Sequence, residues 1–216
     1  MVGQVITVAQ RKGGAGKTTL AAQLAIAWAR NGARVALLDI DAQKSLAAWA
    51  GLRQRRLGPM AIGFEFSALP GWRAEQWIAD RAREADFVII DSPANIETEA
   101  RIAIRSAGMV LIPVQPSALD LWATEATVAM VQSERRPALT VLNRVPARSS
   151  ATDRITTDLV ALGAAVASGR IGNRVAFVQA MAQGLGVVET AAASPAAVEI
   201  AALAAELRAG WSAAPG

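Results

Sequence analysis

The segment Lys12-Gly13-Gly14-Ala15-Gly16-Lys17-Thr18-Thr19 restricts the possible folds of this chain more than any other. It follows an apolar, β-rich run over residues 4–9 and precedes a helix-forming stretch over 17–30, so the spacing predicts a glycine-rich turn held between a strand and a helix. Glycines in such a turn let backbone N–H groups face inward around phosphate oxygens, and the following helix adds the positive end of its dipole. Lys17 supplies a point charge for β- and γ-phosphates, and the Thr18 hydroxyl is placed to ligate Mg²⁺. The strict phosphate-loop pattern Gly-x-x-x-x-Gly-Lys-Thr wants glycine at position 11, where this chain has Arg11. Lys12 is an additional lysine with no role in a monomeric phosphate loop. At this edge it is placed to reach a phosphate held by a second subunit and to neutralise charge as an arginine finger does. The plainer alternative is a solvent lysine.

Beyond the loop, apolar runs at 34–38, 87–90, 109–113 and 139–142 alternate with helical patterns at 45–56, 72–85, 97–106, 119–134 and 152–162. Shorter strands are expected at 62–66 and 164–167, and further helices at 173–183 and 195–208. Continuously apolar strands separated by helices indicate an α/β class chain: a three-layer α/β/α fold with a mostly parallel central sheet. Ligands in such a sheet sit beyond the carboxyl ends of the strands. The loop after Ala9, with Asp39, Asp91 and Asn143, is therefore expected to converge. Residues 1–211 read as a single domain with no helix-turn-helix module in front, and 212–216 as a frayed tail. Of the six tryptophans, most are expected in the core; exposure of Trp49 or Trp122 would mark a subunit or partner surface.

Three carboxylates stand at expected strand ends. Asp91 closes the run over 87–90 and is the acid expected to hold magnesium through water. Asp39 and Asp41 are two apart, so both point the same way in an extended segment. Asp41 is the candidate for orienting an attacking water and sensing the γ-phosphate, and Asp39 for supporting the magnesium shell. For either, the alternative is a cap on the helix from about Ser45. The chain has no cysteine and no histidine. That excludes disulfides, cysteine-held clusters and histidine chemistry, and leaves an oxygen-ligated ion.

The formal charge is +4, but residues 135–174 hold seven arginines against Asp153 and Asp158. A local excess of this kind suits a polyanion; the ordinary reading is a solvated face. No secretory leader and no long uncharged apolar span is evident, since Glu189, Glu199 and Glu206 interrupt the alanine-rich tail.

With Lys12 and Lys17 both present, Asp39-Ile40-Asp41-Ala42-Gln43 behind them, Asp91 followed by Pro93, and Ile112-Pro113-Val114-Gln115-Pro116, the chain resembles the ParA/MinD family of deviant Walker-type ATPases. It is most similar to the small ParA-type partition ATPases without an N-terminal DNA-binding extension. The resemblance implies a P-loop NTPase fold, ATP and Mg²⁺ as ligands, and slow ATP hydrolysis. It implies an ATP-bound homodimer in which Lys12 of one subunit touches ATP in the other. It also implies non-specific binding of that dimer to double-stranded DNA, and release by a cargo-bound adaptor or ParB-like activator, in a cytoplasmic, nucleoid-associated protein. The cargo would be a plasmid, a chromosome locus or a protein complex. Asn143 falls where the family reads the adenine. For DNA, charge clustering singles out Arg148, Arg170 and Arg174, with Arg144 close to the nucleotide. Ala42 replaces the family's switch proline, and Lys44 replaces a residue that is often small. The competing reading is a MinD-like, membrane-associated regulator of cell division. It is disfavoured because the last helix carries Glu199 and Glu206 against Arg208 on a mostly alanine surface.

Overall fold

Seven short segments pair side by side because five of them are apolar enough to be buried on both faces. The structure, a computed structural model, describes residues 2–58, 63–94, 97–148 and 151–212. In chain order the elements are β1 (Gln4–Val8), α1 (Lys17–Arg30), β2 (Val35–Asp39), α2 (Ser45–Leu57), β3 (Glu65–Ala68), α3 (Ala74–Glu84), β4 (Phe87–Asp91) and α4 (Glu97–Ser106). They continue with β5 (Met109–Val114), α5 (Ala118–Ser133), β6 (Ala138–Val145), α6 (Ala151–Ala161), β7 (Ala165–Gly172), α7 (Val175–Met181), α8 (Val187–Thr190) and α9 (Pro195–Ser212).

The strands form one sheet in the order β3-β2-β4-β1-β5-β6-β7, and every pairing is parallel. The three-layer α/β/α fold expected from the strand–helix alternation is thus present, with an all-parallel sheet where a mostly parallel one was expected. β1 lies at the centre, between β4 and β5, so the loop that follows it opens at the middle of the carboxyl edge.

Helices cover both faces. One core joins Leu20, Leu24 and Trp28 of α1 to Ile200, Leu203 and Leu207 of α9 across Ile6, Leu37 and Ile89 of the sheet. The other face packs α3 and α4 over Val88 and Ile90, and α4, α5 and α6 over Val110 and Ile112. Trp28 fastens the first core: its ring stacks on Phe87 with centroids 4.0 Å apart, and its indole N–H donates to the Ala204 carbonyl at 3.1 Å.

Several boundaries differ from expectation. β3 begins at Glu65, and the earlier part of the expected strand, Ile62, lies outside the described residues, as does Pro59. The helix expected from Trp72 starts as a 3₁₀ turn, Gly71–Arg73, ahead of α3. β7 reaches Gly172, well past the expected 167, because α9 supplies partners for a glycine-rich edge. Glu206 accepts from the Ser168 and Gly169 N–H groups, and Glu199 accepts from Gly172 N–H. These carboxylates cover the open side of the last strand. Trp28 and Trp49 are buried, Trp72 and Trp122 are exposed, and the side chain of Trp211 lies outside the described residues.

Replacing Trp28 with alanine removes a stacked, hydrogen-bonded side chain from the seam between α1, α9 and the sheet. It should cost about 3–5 kcal/mol of stability, read as a lowered urea midpoint by far-ultraviolet circular dichroism.

Candidate nucleotide site

The turn between β1 and α1 is held by donors from three elements. Lys17 Nζ donates to the Gln10 carbonyl at 3.2 Å, Gln115 Nε2 to Gly14 at 3.1 Å, and Asn143 Nδ2 to Ala15 at 2.7 Å. Gly16 adopts φ 99°, and a Cβ there would lie 2.3 Å from Asn143 Nδ2, so both conformation and space demand glycine. Lys17 is buried. Burial lowers the pKa of its ammonium, against the opposing charges of Asp91 and Asp41.

Two clefts open at this edge. One, of about 700 Å³, is lined by Gly13, Gly14, Lys17, Thr18, Asp41 and Gln43 among others. The second, of about 730 Å³, is bounded by Asn143, Arg144, Ile171, Phe177, Val178 and neighbours, and is the more apolar. They share Gly16, Thr19, Arg144 and Met181. The pair suits a phosphate chain in the first and a base in the second.

Thr18 donates its hydroxyl hydrogen to Asp91 Oδ2 at 2.7 Å, while Asp91 Oδ1 is buried with no hydrogen-bond partner. Burial pushes the Asp91 carboxyl up to about 7, the Thr18 hydrogen bond opposes this, and the Asp39 charge adds to it. An unsatisfied carboxylate oxygen beside a loop threonine fits an oxygen-ligated cation such as Mg²⁺. Among the described residues no group of three or more acids gathers, so most ligands of such an ion would be phosphate and water.

The paired carboxylates separate in role. Asp39 is fully buried: Oδ1 accepts from Asp41 N–H and Oδ2 from Ala47 N–H, both at 2.9 Å. This is the capping arrangement, and it holds the following loop. Asp41 lies at the cleft wall and accepts the Gln43 N–H at 3.0 Å. Lys44, at φ 54°, turns the chain into α2.

Lys12 does not extend into solvent. Its Nζ lies 2.5 Å from Oδ2 of buried Asp120 in α5, which also accepts the Ser117 hydroxyl. Gln10 bonds to Thr124 at 2.9 Å and accepts from Thr127 at 2.8 Å, and Arg11 N–H donates to Thr127 at 3.2 Å. Asp120, Thr124 and Thr127 share one face of α5, which therefore braces the base of the loop. Sequence reasoning missed Asp120. Its signal was Ser117-x-x-Asp120 ahead of a helix, where Ser117 accepts Asp120 N–H at 3.2 Å.

The arginines singled out for DNA differ in their surroundings. Arg170 pairs with Asp153 at 3.4 Å, and Arg174 pairs with Glu199. Arg144 stands at the clefts, and Arg148 is exposed. Leu119 and Trp122 are exposed on the outer side of α5, on the same turn as Asp120.

Residues 6–187 match the domain family described as the CobQ/CobB/MinD/ParA nucleotide binding domain. The chain is 29% identical over 196 residues to the maintenance of carboxysome distribution protein A of Halothiobacillus neapolitanus, covering 87% of this chain and 88% of that protein. Its fold is similar to the cell division ATPase MinD of Pyrococcus furiosus, with TM-score 0.80, 21% identity, and 96% and 99% of the two chains covered. It is also similar to the septum site-determining protein MinD of Pyrococcus horikoshii complexed with Mg-ADP, with TM-score 0.78, 20% identity, and 98% and 99% covered.

Asp91 generates a pH dependence. Folded, it keeps its proton up to about pH 7; unfolded, it releases it near about 3.9. The folded chain binds the extra proton between those values, so stability falls as pH rises across that window and levels off above it. Urea midpoints from pH 4 to 8 should show this fall in the parent, and Asp91→Asn should lack that component.

Proposed function

This chain belongs to the CobQ/CobB/MinD/ParA nucleotide-binding family, and on that premise we propose that it is a positioning ATPase that dimerises on ATP and carries a cargo over DNA. The observation that carries this reading is the pair Lys12–Asp120 at the start of the glycine-rich loop. Lys12 is half-buried and anchored within its own subunit; in this reading a second subunit approaches at this edge of the loop. On dimerisation it leaves Asp120 for the phosphates bound by the partner subunit.

In the reaction, ATP and water yield ADP and phosphate. The loop N–H groups and Lys17 hold the phosphates, and Thr18 and Asp91 would hold Mg²⁺, which offsets phosphate charge when bound. Asp41, steadied by the Asp39-capped loop, orients the attacking water and accepts its hydrogen bond. Asn143 braces the loop at the base cleft. The relative named for carboxysome distribution, matched over most of both chains, favours a protein assembly as cargo, brought by an adaptor that stimulates hydrolysis.

The DNA surface in this reading centres on Arg148, with Arg170 and Arg174 contributing once their carboxylate partners give way. A membrane role has less support. Ile200, Leu203 and Leu207 of α9 are packed in the core, and Glu199 and Glu206 are bound to β7. Among the described residues, the exposed apolar ones of α9 are Val198 and small alanines, and no helix is long and apolar enough to cross a membrane.

Retention of unrelated DNA duplexes should require ATP, fail with ADP or no nucleotide, and weaken steeply with added salt because phosphate contacts release counterions. Absence of binding in every state would remove DNA from the proposal. Asp41→Ala should lower turnover by about a hundredfold or more while ATP-bound dimer accumulates in light scattering. Normal turnover would defeat the role given to Asp41.

A further inference from the structure

β6 does not run straight to its end. Leu142 pairs with Arg170 and Val145 with Gly172, so three steps on β6 face two on β7. The extra residue makes a bulge spanning Asn143 and Arg144, and bulges beside functional sites re-aim side chains. Arg144 takes the left-handed conformation, φ 53°, a position where glycine is the usual occupant of a bulge.

The Asn143 side chain supports this conformation. Asn143 Oδ1 accepts the Arg144 N–H at 3.0 Å, while Asn143 Nδ2 is bound to the loop at Ala15. Asn143 is therefore occupied as a brace at both ends of its carboxamide. Arg144 projects beyond it and borders both the phosphate cleft and the base cleft. A nucleotide with its phosphates in the first cleft and its base in the second would bring its sugar and the attached phosphate to the join. Among the described residues no carboxylate pairs with Arg144, whereas Arg170 and Arg174 each have one.

We propose that Arg144 is a nucleotide-contacting residue whose guanidinium binds the phosphate nearest the sugar, rather than part of a DNA surface. This rests on the nucleotide-site reading above. A planar guanidinium offers parallel donors to two phosphate oxygens, which a lysine does not reproduce.

The test is titration of the full chain with a fluorescent ADP in the presence of Mg²⁺, with AMP as competitor. Arg144→Gly removes the guanidinium and suits the observed φ, so its apo melting temperature should match or exceed the parent's. Its affinity for ADP should fall about ten- to a hundredfold, the range for hydrogen bonds to charged groups. AMP should lose the same factor, because the phosphate concerned is common to both. Arg144→Lys should recover part of the loss, and Arg148→Ala should bind as the parent does. ADP affinity of Arg144→Gly within twofold of the parent overturns the proposal, and does so in favour of a DNA role if ATP-dependent DNA retention is lost instead. A lowered apo melting temperature would assign Arg144 a structural role and also overturn it. Loss toward ADP alone would move the contact to a later phosphate and overturn the placement. A parent chain that binds no nucleotide would overturn the nucleotide site itself.

Discussion

Turning a row of peptide N–H groups toward one point forces the matching carbonyls the other way, and each needs a donor of its own. That requirement organises the protein. Gln10, Gly14 and Ala15 carbonyls are satisfied by Lys17 from α1, Gln115 beyond β5 and Asn143 from β6. Three elements far apart in sequence must therefore reach the central loop together, and the parallel sheet order around β1 brings them there. α5 completes the support from the other side through Asp120, Thr124 and Thr127.

The electrostatics follow from the same burial. Lys17, Asp91 and Asp39 lie in a dry base where their charged forms are penalised: the ammonium pKa is lowered and both carboxyl pKa values are raised. Asp39 offsets the cost with two backbone N–H bonds, whereas Asp91 has one threonine and an unsatisfied oxygen. The site is thus built with an incomplete shell at Asp91 and a complete one at Asp39. That difference leaves Asp91 with an open acceptor while both Asp39 oxygens hold the loop.

Much of this was legible in the chain. The strand–loop–helix around Lys17 was readable because its parts are contiguous and glycine spacing reports backbone conformation directly. Asp91 was readable because an apolar run ending in an acid marks a strand's carboxyl end. The parallel sheet was readable from runs too apolar to be half exposed. Asp39 was legible only as a choice between two roles, since both follow from the same spacing. The extent of β7 was not legible, because Ser168, Gly169 and Gly172 form a strand edge on the strength of carboxylates from α9.

The glycine-rich strand–loop–helix, the order of strands and helices along the chain, and the polar residues at strand ends could all be read from the chain, because these depend on neighbours in it. What each charge faces emerges from the assembled fold. Lys12 meets Asp120 across 108 positions, Arg174 meets Glu199, and Arg144 is aimed by a bulge at the join of two clefts. A side chain's partner is set by distance in space, and two positions far apart in the chain become neighbours only when the sheet assembles.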